Sequence, residues 1–127
     1  MGLTMNTSEK VGKLLTTLIR ETTEGNVIWS VTDVPEALSY ATEASVPLYL
    51  QTKYNSKIIG IYDIRIRNYT DIDDFHWVEE IGFCIVDEKG RVIWELNQSS
   101  PALRDLFNTA RLQAAGIDDL LGEMVDD

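Results

Sequence analysis

The 127-residue chain has one cysteine, one histidine and three prolines, and only eleven basic residues against twenty-one acidic ones. Each scarcity excludes something. Cys84 cannot form an internal disulfide, and a lone thiol suits a reducing compartment. His76 has no nucleophile near it in the sequence, so acid–base catalysis lacks its second participant. Glycine-rich phosphate loops, paired cysteine ligands and serine-triad signatures are missing. No stretch approaches the ~18 apolar residues that span a bilayer. Residues 1–13 lack a basic segment followed by an apolar core, so the expected location is cytoplasmic. Repeats, linkers and low-complexity segments are absent.

The formal charge of −10 has a similar consequence. A field of that sign repels nucleic-acid phosphate and anionic membranes, which leaves no nucleic acid and no membrane among the expected partners. It favours a basic protein partner, or serves solubility alone.

What is present is the material of a compact fold. The chain is 44% hydrophobic and carries three tryptophans and five tyrosines. That is too much apolar surface for a disordered chain, and the length suits one domain over residues 1–127. Val11, Leu14, Leu15, Leu18 and Ile19 form one helical stripe over 8–24, with Asn6 or Ser8 as cap and Gly25 as stop. Five strand-like segments follow over 26–96. Trp29 lies in the first, and Pro35–Tyr40 suggests a single helical turn after it. Segments 45–53 and 57–68 read as a hairpin around Tyr54-Asn55-Ser56-Lys57, with Pro47 marking an edge or a bulge and Gly60 a bulge or close packing. Strand 77–86 is apolar on both faces and is therefore expected at the centre of the sheet, with Cys84 a small buried core residue. Ser99-Ser100-Pro101 starts a helix whose stripe is Leu103, Leu106, Phe107, Ala110 and Leu112. A last short helix follows Gly116. The expected architecture is α+β: a single two-layer domain with an antiparallel sheet of about five strands, flanked by N-terminal and C-terminal helices.

With helices on one sheet face, the other is expected to stay partly apolar, which points to a homodimer. One register of strand 57–68 places Ile59, Ile61, Asp63, Arg65 and Arg67 together, with Arg65 and Arg67 expected on the free sheet face. Residues 70–80 hold three aspartates, two glutamates and the histidine. Asp71, Asp73, Asp74 and His76 offer metal-ligand chemistry, although an EF-hand's glycine is missing and its closing glutamate misplaced. A solvated loop that protects a strand edge is the plainer alternative. Trp77 beside these acids suits an anchor for a basic partner. Asp118, Asp119, Glu123, Asp126 and Asp127 crowd the C-terminal turns, where the helix dipole disfavours negative charge; they recruit cationic groups from elsewhere, or the end is frayed.

The helix–Gly–tryptophan-strand opening (Leu14–Trp29) and the closing segment Leu103–Met124 resemble a group of small bacterial proteins of unknown function. That resemblance implies an N-terminal helix, a tryptophan-bearing strand, a meander and a closing helix. In size and charge the chain is also similar to the class I chaperones of type III secretion, which are small acidic α+β dimers. It departs from them at residues 69–76, where that family has a helix.

The expected function is a cytosolic protein-binding module for a basic partner, immunity- or antitoxin-like or chaperone-like. Its contact residues are Arg65, Arg67, Asp73, Asp74, Trp77, Asp118 and Asp119, and it uses no cofactor or metal. The alternative is a small-ligand or metal-dependent enzyme centred on the acidic segment 71–80.

Overall fold

The computed structural model describes residues 7–35, 38, 44–98 and 100–125. Helix α1 (Thr7–Thr23) leads into β1 (Ser30–Val31), β2 (Ala44–Tyr54), β3 (Lys57–Tyr69), β4 (Phe75–Val86) and β5 (Val92–Gln98). Helices α2 (Pro101–Ala114) and α3 (Ile117–Val125) close the chain. The five strands form one antiparallel sheet in chain order; β3 is the central strand, and β4, expected there, lies one place further out between β3 and β5.

Local chemistry accounts for the element ends. Gly25, at φ +82°, ends α1 in a backbone conformation that glycine adopts without a Cβ clash. There the Asn26 N–H bonds the Glu21 carbonyl and the Gly25 N–H bonds the Thr22 carbonyl, the pairing of a Schellman stop. Asn55 and Ser56, both at positive φ, make the two-residue turn of the β2–β3 hairpin. Ser100 caps α2 through the Leu103 N–H, with Pro101 in the first turn. Asn6, Asp126 and Asp127 lie outside the described residues. Of the turn expected at 35–40, only Pro35 and Leu38 are described, and the Leu38 N–H bonds the Pro35 carbonyl.

The Pro47 region carries a bulge. The β2–β3 register shifts by one residue between Ser45 and Leu48. Because side chains alternate across a strand, the extra residue moves Val46 to the opposite face from Leu48 and Leu50. The Leu48 N–H then bonds the carboxylate of Asp63 at 3.1 Å.

Helices α1 and α2 cover one sheet face. Leu15, Leu18, Leu103, Leu106, Phe107 and Ala110 pack there with Leu50, Ile59, Ile61, Ile81 and Phe83. Trp29 is buried among them and donates its ring N–H to Thr22 Oγ1 at 3.0 Å. Leu112, expected in the α2 stripe, is exposed, because two residues past Ala110 is about 200° around a helix of 3.6 residues per turn.

The second face is not free, contrary to the expectation from which a homodimer was inferred. Leu38 and Val34, from the connection after β1, pack over Tyr49, Tyr62, Ile64, Cys84 and Val86. Tyr62 and Cys84 have no solvent exposure. Connections between sheet strands leave no mark in hydrophobic periodicity, so this cover was not visible in the pattern. On this face the Tyr49 ring lies over Gly60 and the Tyr62 ring over Gly82, and the two rings are 5.8 Å apart. The Tyr62 hydroxyl donates to Glu95, and the Tyr49 hydroxyl to Gln51 at 3.1 Å. Burial pushes the Cys84 thiol up to about 11, which suits an inert core residue rather than a reactive one.

Asp63, buried at the edge of the helix-side core, is a stability lever. Burial raises its carboxyl above the ordinary value; the Leu48 N–H opposes the rise and Glu79 adds to it. A group bound more tightly by protons in the fold than in the open chain adds stability as pH falls through its folded pKa toward its unfolded one, and withdraws it above. Asp63→Asn keeps the acceptor for Leu48 and removes the buried charge. It is therefore expected to melt higher than wild type at pH 7, with the difference vanishing near pH 4 (~ the unfolded aspartate value). A thermal melt of both proteins across that range is the check.

Candidate functional site

Strands β3 and β4 outrun their neighbours. Among the described residues, pairing with β2 ends at Ile66 and pairing with β5 at Ile81, whereas β3 and β4 continue together to Tyr69↔Phe75. The result is a two-stranded arm beyond the body of the sheet. Segment 69–76, expected as a loop, contributes Tyr69, Phe75 and His76 to these strands, and only 70–74 forms the turn. Thr70 and Asp71 N–H groups close that turn on the Asp74 carbonyl at 3.0 and 3.3 Å. Ile72 stands at the tip, 90% exposed.

One face of the arm carries Arg65, Arg67 and Tyr69 from β3 opposite Glu79, Trp77 and Phe75 from β4. Tyr69, Phe75 and Trp77 form a continuous ladder of rings, each 5.8 Å from the next, with Phe75 and Trp77 edge to face. The Arg67 guanidinium lies over both rings, 5.1 Å from Phe75 and 5.3 Å from Trp77. All three aromatics are about half exposed, Trp77 most at 53%. Arg65 reaches Glu79 at 4.0 Å, and Arg104 in the first turn of α2 reaches it at 3.9 Å. Such exposed ion pairs contribute little to stability.

This is the same face that α1 and α2 cover nearer the centre, since Ile59 and Ile61 precede Arg65 and Arg67 on it. Arg65 and Arg67 were expected on a free sheet face; they instead lie on the uncovered overhang of the helix-covered one. Arg65 pairs with a cross-strand acid, whereas Arg67 stacks on rings. Trp77 is half exposed beside the acids, as its position suggested. Asp73 and Asp74 lie in the arm's turn.

Asp118 and Asp119 do not join this group. They occupy the first turn of α3 after a turn at Gly116, whose φ is +69°. They were expected in the C-terminal turns, set against the helix dipole; α3 begins at Ile117, so they lie at its favourable end. The arm contacts α2 at its first turn, and α3 follows its last turn, so 14 helical residues, about 21 Å, separate the two groups. Asp118 and Asp119 instead line an open groove of about 450 Å3 with Thr22, Gln113 and Ile117.

Tyr69 and Phe75 were missed. The alternation Arg67/Tyr69 and Phe75/Trp77 carried the signal, masked by the run of aspartates between them. The acidic residues themselves do not converge: among the described residues, no three His, Cys, Asp or Glu side chains come together as a metal site. His76 sits on the opposite face of the arm from Phe75 and Trp77.

The fold and this surface define a single α+β domain with a projecting aromatic and acidic β-arm. Comparison with known protein families, characterised proteins and solved structures finds no match. Among the described residues, no helix is long and apolar enough to cross a membrane.

Proposed function

We propose that the chain is a protein-binding module that captures a basic protein through the β3–β4 arm. The observation that carries this is the ladder Tyr69–Phe75–Trp77 with Arg67, held in water on a projecting ribbon. Exposed aromatics with arginine are the residue types that anchor interfaces, and leaving them in solvent costs free energy that a partner recovers. From Arg65 to Glu80 the arm carries five acids and two arginines, which adds a local negative field to the overall charge of −10. That field steers a basic surface toward the rings and repels a second copy of the arm. Neutralisation of a basic toxin, or escort of a basic cargo, is the form this activity takes. A cytosolic setting suits the lone buried Cys84. A homodimer has lost its expected seat on the second sheet face; the exposed Leu120 and Leu121 of α3 remain a surface for one.

The test is a pull-down from native lysate at low and high salt with wild type and Trp77→Ala. A basic protein retained at low salt, released at high salt and lost with Trp77→Ala is the expected result. Truncating a central anchor weakens binding by about 30-fold or more. Equal capture by Trp77→Ala removes the arm from the interface.

A further inference from the structure

We infer that the outer edge of β4, from Phe75 to Glu80, takes an extended segment of the partner as an added antiparallel strand, with arginine or lysine at every second position. This rests on the reading above that the arm binds a basic protein, and specifies how. The edge away from β3 is open: β5 pairs with β4 only from Ile81 onward, and among the described residues only those of β3 pair with 75–80.

The bond from the Thr70 N–H to the Asp74 carbonyl sets the alternation of the arm's ladder. Asn68/His76, Ile66/Val78 and Ile64/Glu80 become the hydrogen-bonded pairs, and Arg67/Trp77 and Arg65/Glu79 the pairs between them. The backbone N–H and C=O groups of Phe75, Trp77 and Glu79 therefore point away from β3, into the open edge. An antiparallel strand that accepts them places its own bonded residues directly opposite Phe75, Trp77 and Glu79, with side chains on the aromatic face.

That face already shows which side chain it takes. Arg67, the cross-strand neighbour of Trp77 on the β3 side, stacks its guanidinium on Trp77 and Phe75. A residue opposite Trp77 on the other side meets the half-exposed ring, and one opposite Glu79 meets a carboxylate whose present partners stand at 3.9 and 4.0 Å. Arginine satisfies both positions, by stacking and by paired hydrogen bonds. Asp73 and Asp74 extend the negative field past the strand's end. The outer edge of β5 lacks these features: Trp94 and Leu96 pack inward and Glu95 is engaged by Tyr62. Strand addition draws affinity from the backbone and specificity from alternate side chains.

The experiment uses a labelled eight-residue peptide alternating arginine and threonine, followed by fluorescence anisotropy at low ionic strength. Three forms are compared: unmodified, N-methylated on the arginine amides, and N-methylated on the threonine amides. Binding by the unmodified and threonine-methylated peptides, with at least about tenfold weaker binding by the arginine-methylated one, is expected, since only the arginine amides face the edge. Trp77→Ala should weaken all three. Equal binding by the three peptides overturns strand addition and leaves electrostatic capture by the arm standing. If none binds while the full-length protein still retains a basic partner through Trp77, the arm reads a folded surface and the inference is overturned. Loss of the Trp77-dependent pull-down overturns the functional reading itself.

Discussion

Gly82→Ala is expected to cost about 3 kcal/mol of folding stability, at the upper end of what overpacking a core does. A Cβ on Gly82 overlaps the ring and hydroxyl of Tyr62. That ring has no exposure and its hydroxyl is held by Glu95, so it cannot swing aside as a surface side chain would. Displacing it also opens the layer formed with Tyr49 and Cys84. A domain of this size has a total stability of ~5–15 kcal/mol, so the loss is a large fraction of the whole. Urea denaturation of Gly82→Ala measures it. In a Tyr62→Leu background the same substitution should cost much less, because the clashing ring is gone. Gly12→Ala, in the middle of α1 with open space around it, should instead stabilise by about 0.5–1 kcal/mol through helix propensity. If all three glycine changes behave alike, the Tyr62 overlap is not what governs position 82.

Gln113→Ala has the second large expected effect, a loss of about 3 kcal/mol. Gln113 lies in the last turn of α2 and satisfies the backbone between α1 and β1. Its Oε1 accepts the Trp29 N–H at 2.7 Å, and its Nε2 donates to the carbonyls of Val27 and, at 3.3 Å, Thr22. Val27, Trp29 and Thr22 are all buried, so water cannot readily replace the amide. Each buried backbone group left without a partner costs ~1–3 kcal/mol, partly relieved by relaxation. Gln113→Glu retains the acceptor for Trp29 and loses the donors. It is expected to fall between wild type and alanine at low pH and to worsen at neutral pH, where a carboxylate would face two carbonyls. Chemical denaturation at pH 4 and pH 7 separates these cases; an alanine variant as stable as wild type would show the tether to be dispensable.

The two positions differ in how far they could be read from the chain. Gly82 in a strand pattern signals close approach of something, but Tyr62 as its neighbour follows only from the Tyr62↔Gly82 pairing. Gln113 carries no local signal at all, since its partners lie more than eighty residues away. The surface proposed for binding was legible in part. Arg65, Arg67, Asp73, Asp74 and Trp77 were singled out because charge and aromatic content are local facts, and the fold places them on one arm. Their grouping with Asp118 and Asp119 failed because the distance between them is set by the length of α2, which a composition argument does not contain.

The amino-acid sequence by itself determined the elements whose causes act within a few residues. These are the α1 stripe and its stop at Gly25, the turn at Asn55 and Ser56, the cap at Ser100 and Pro101, and the order of an antiparallel meander. Tertiary structure alone decided what covers the second sheet face and where strand pairing ends. Leu38 packs with Tyr62 and Cys84 through a connection, and among the described residues β5 pairs with β4 only as far as Ile81, leaving 75–80 paired with β3 alone. Both outcomes depend on register and chain path between distant segments. A one-residue bulge at Pro47 is enough to exchange the faces of Val46 and Leu48, so only the assembled sheet fixes which side chains meet.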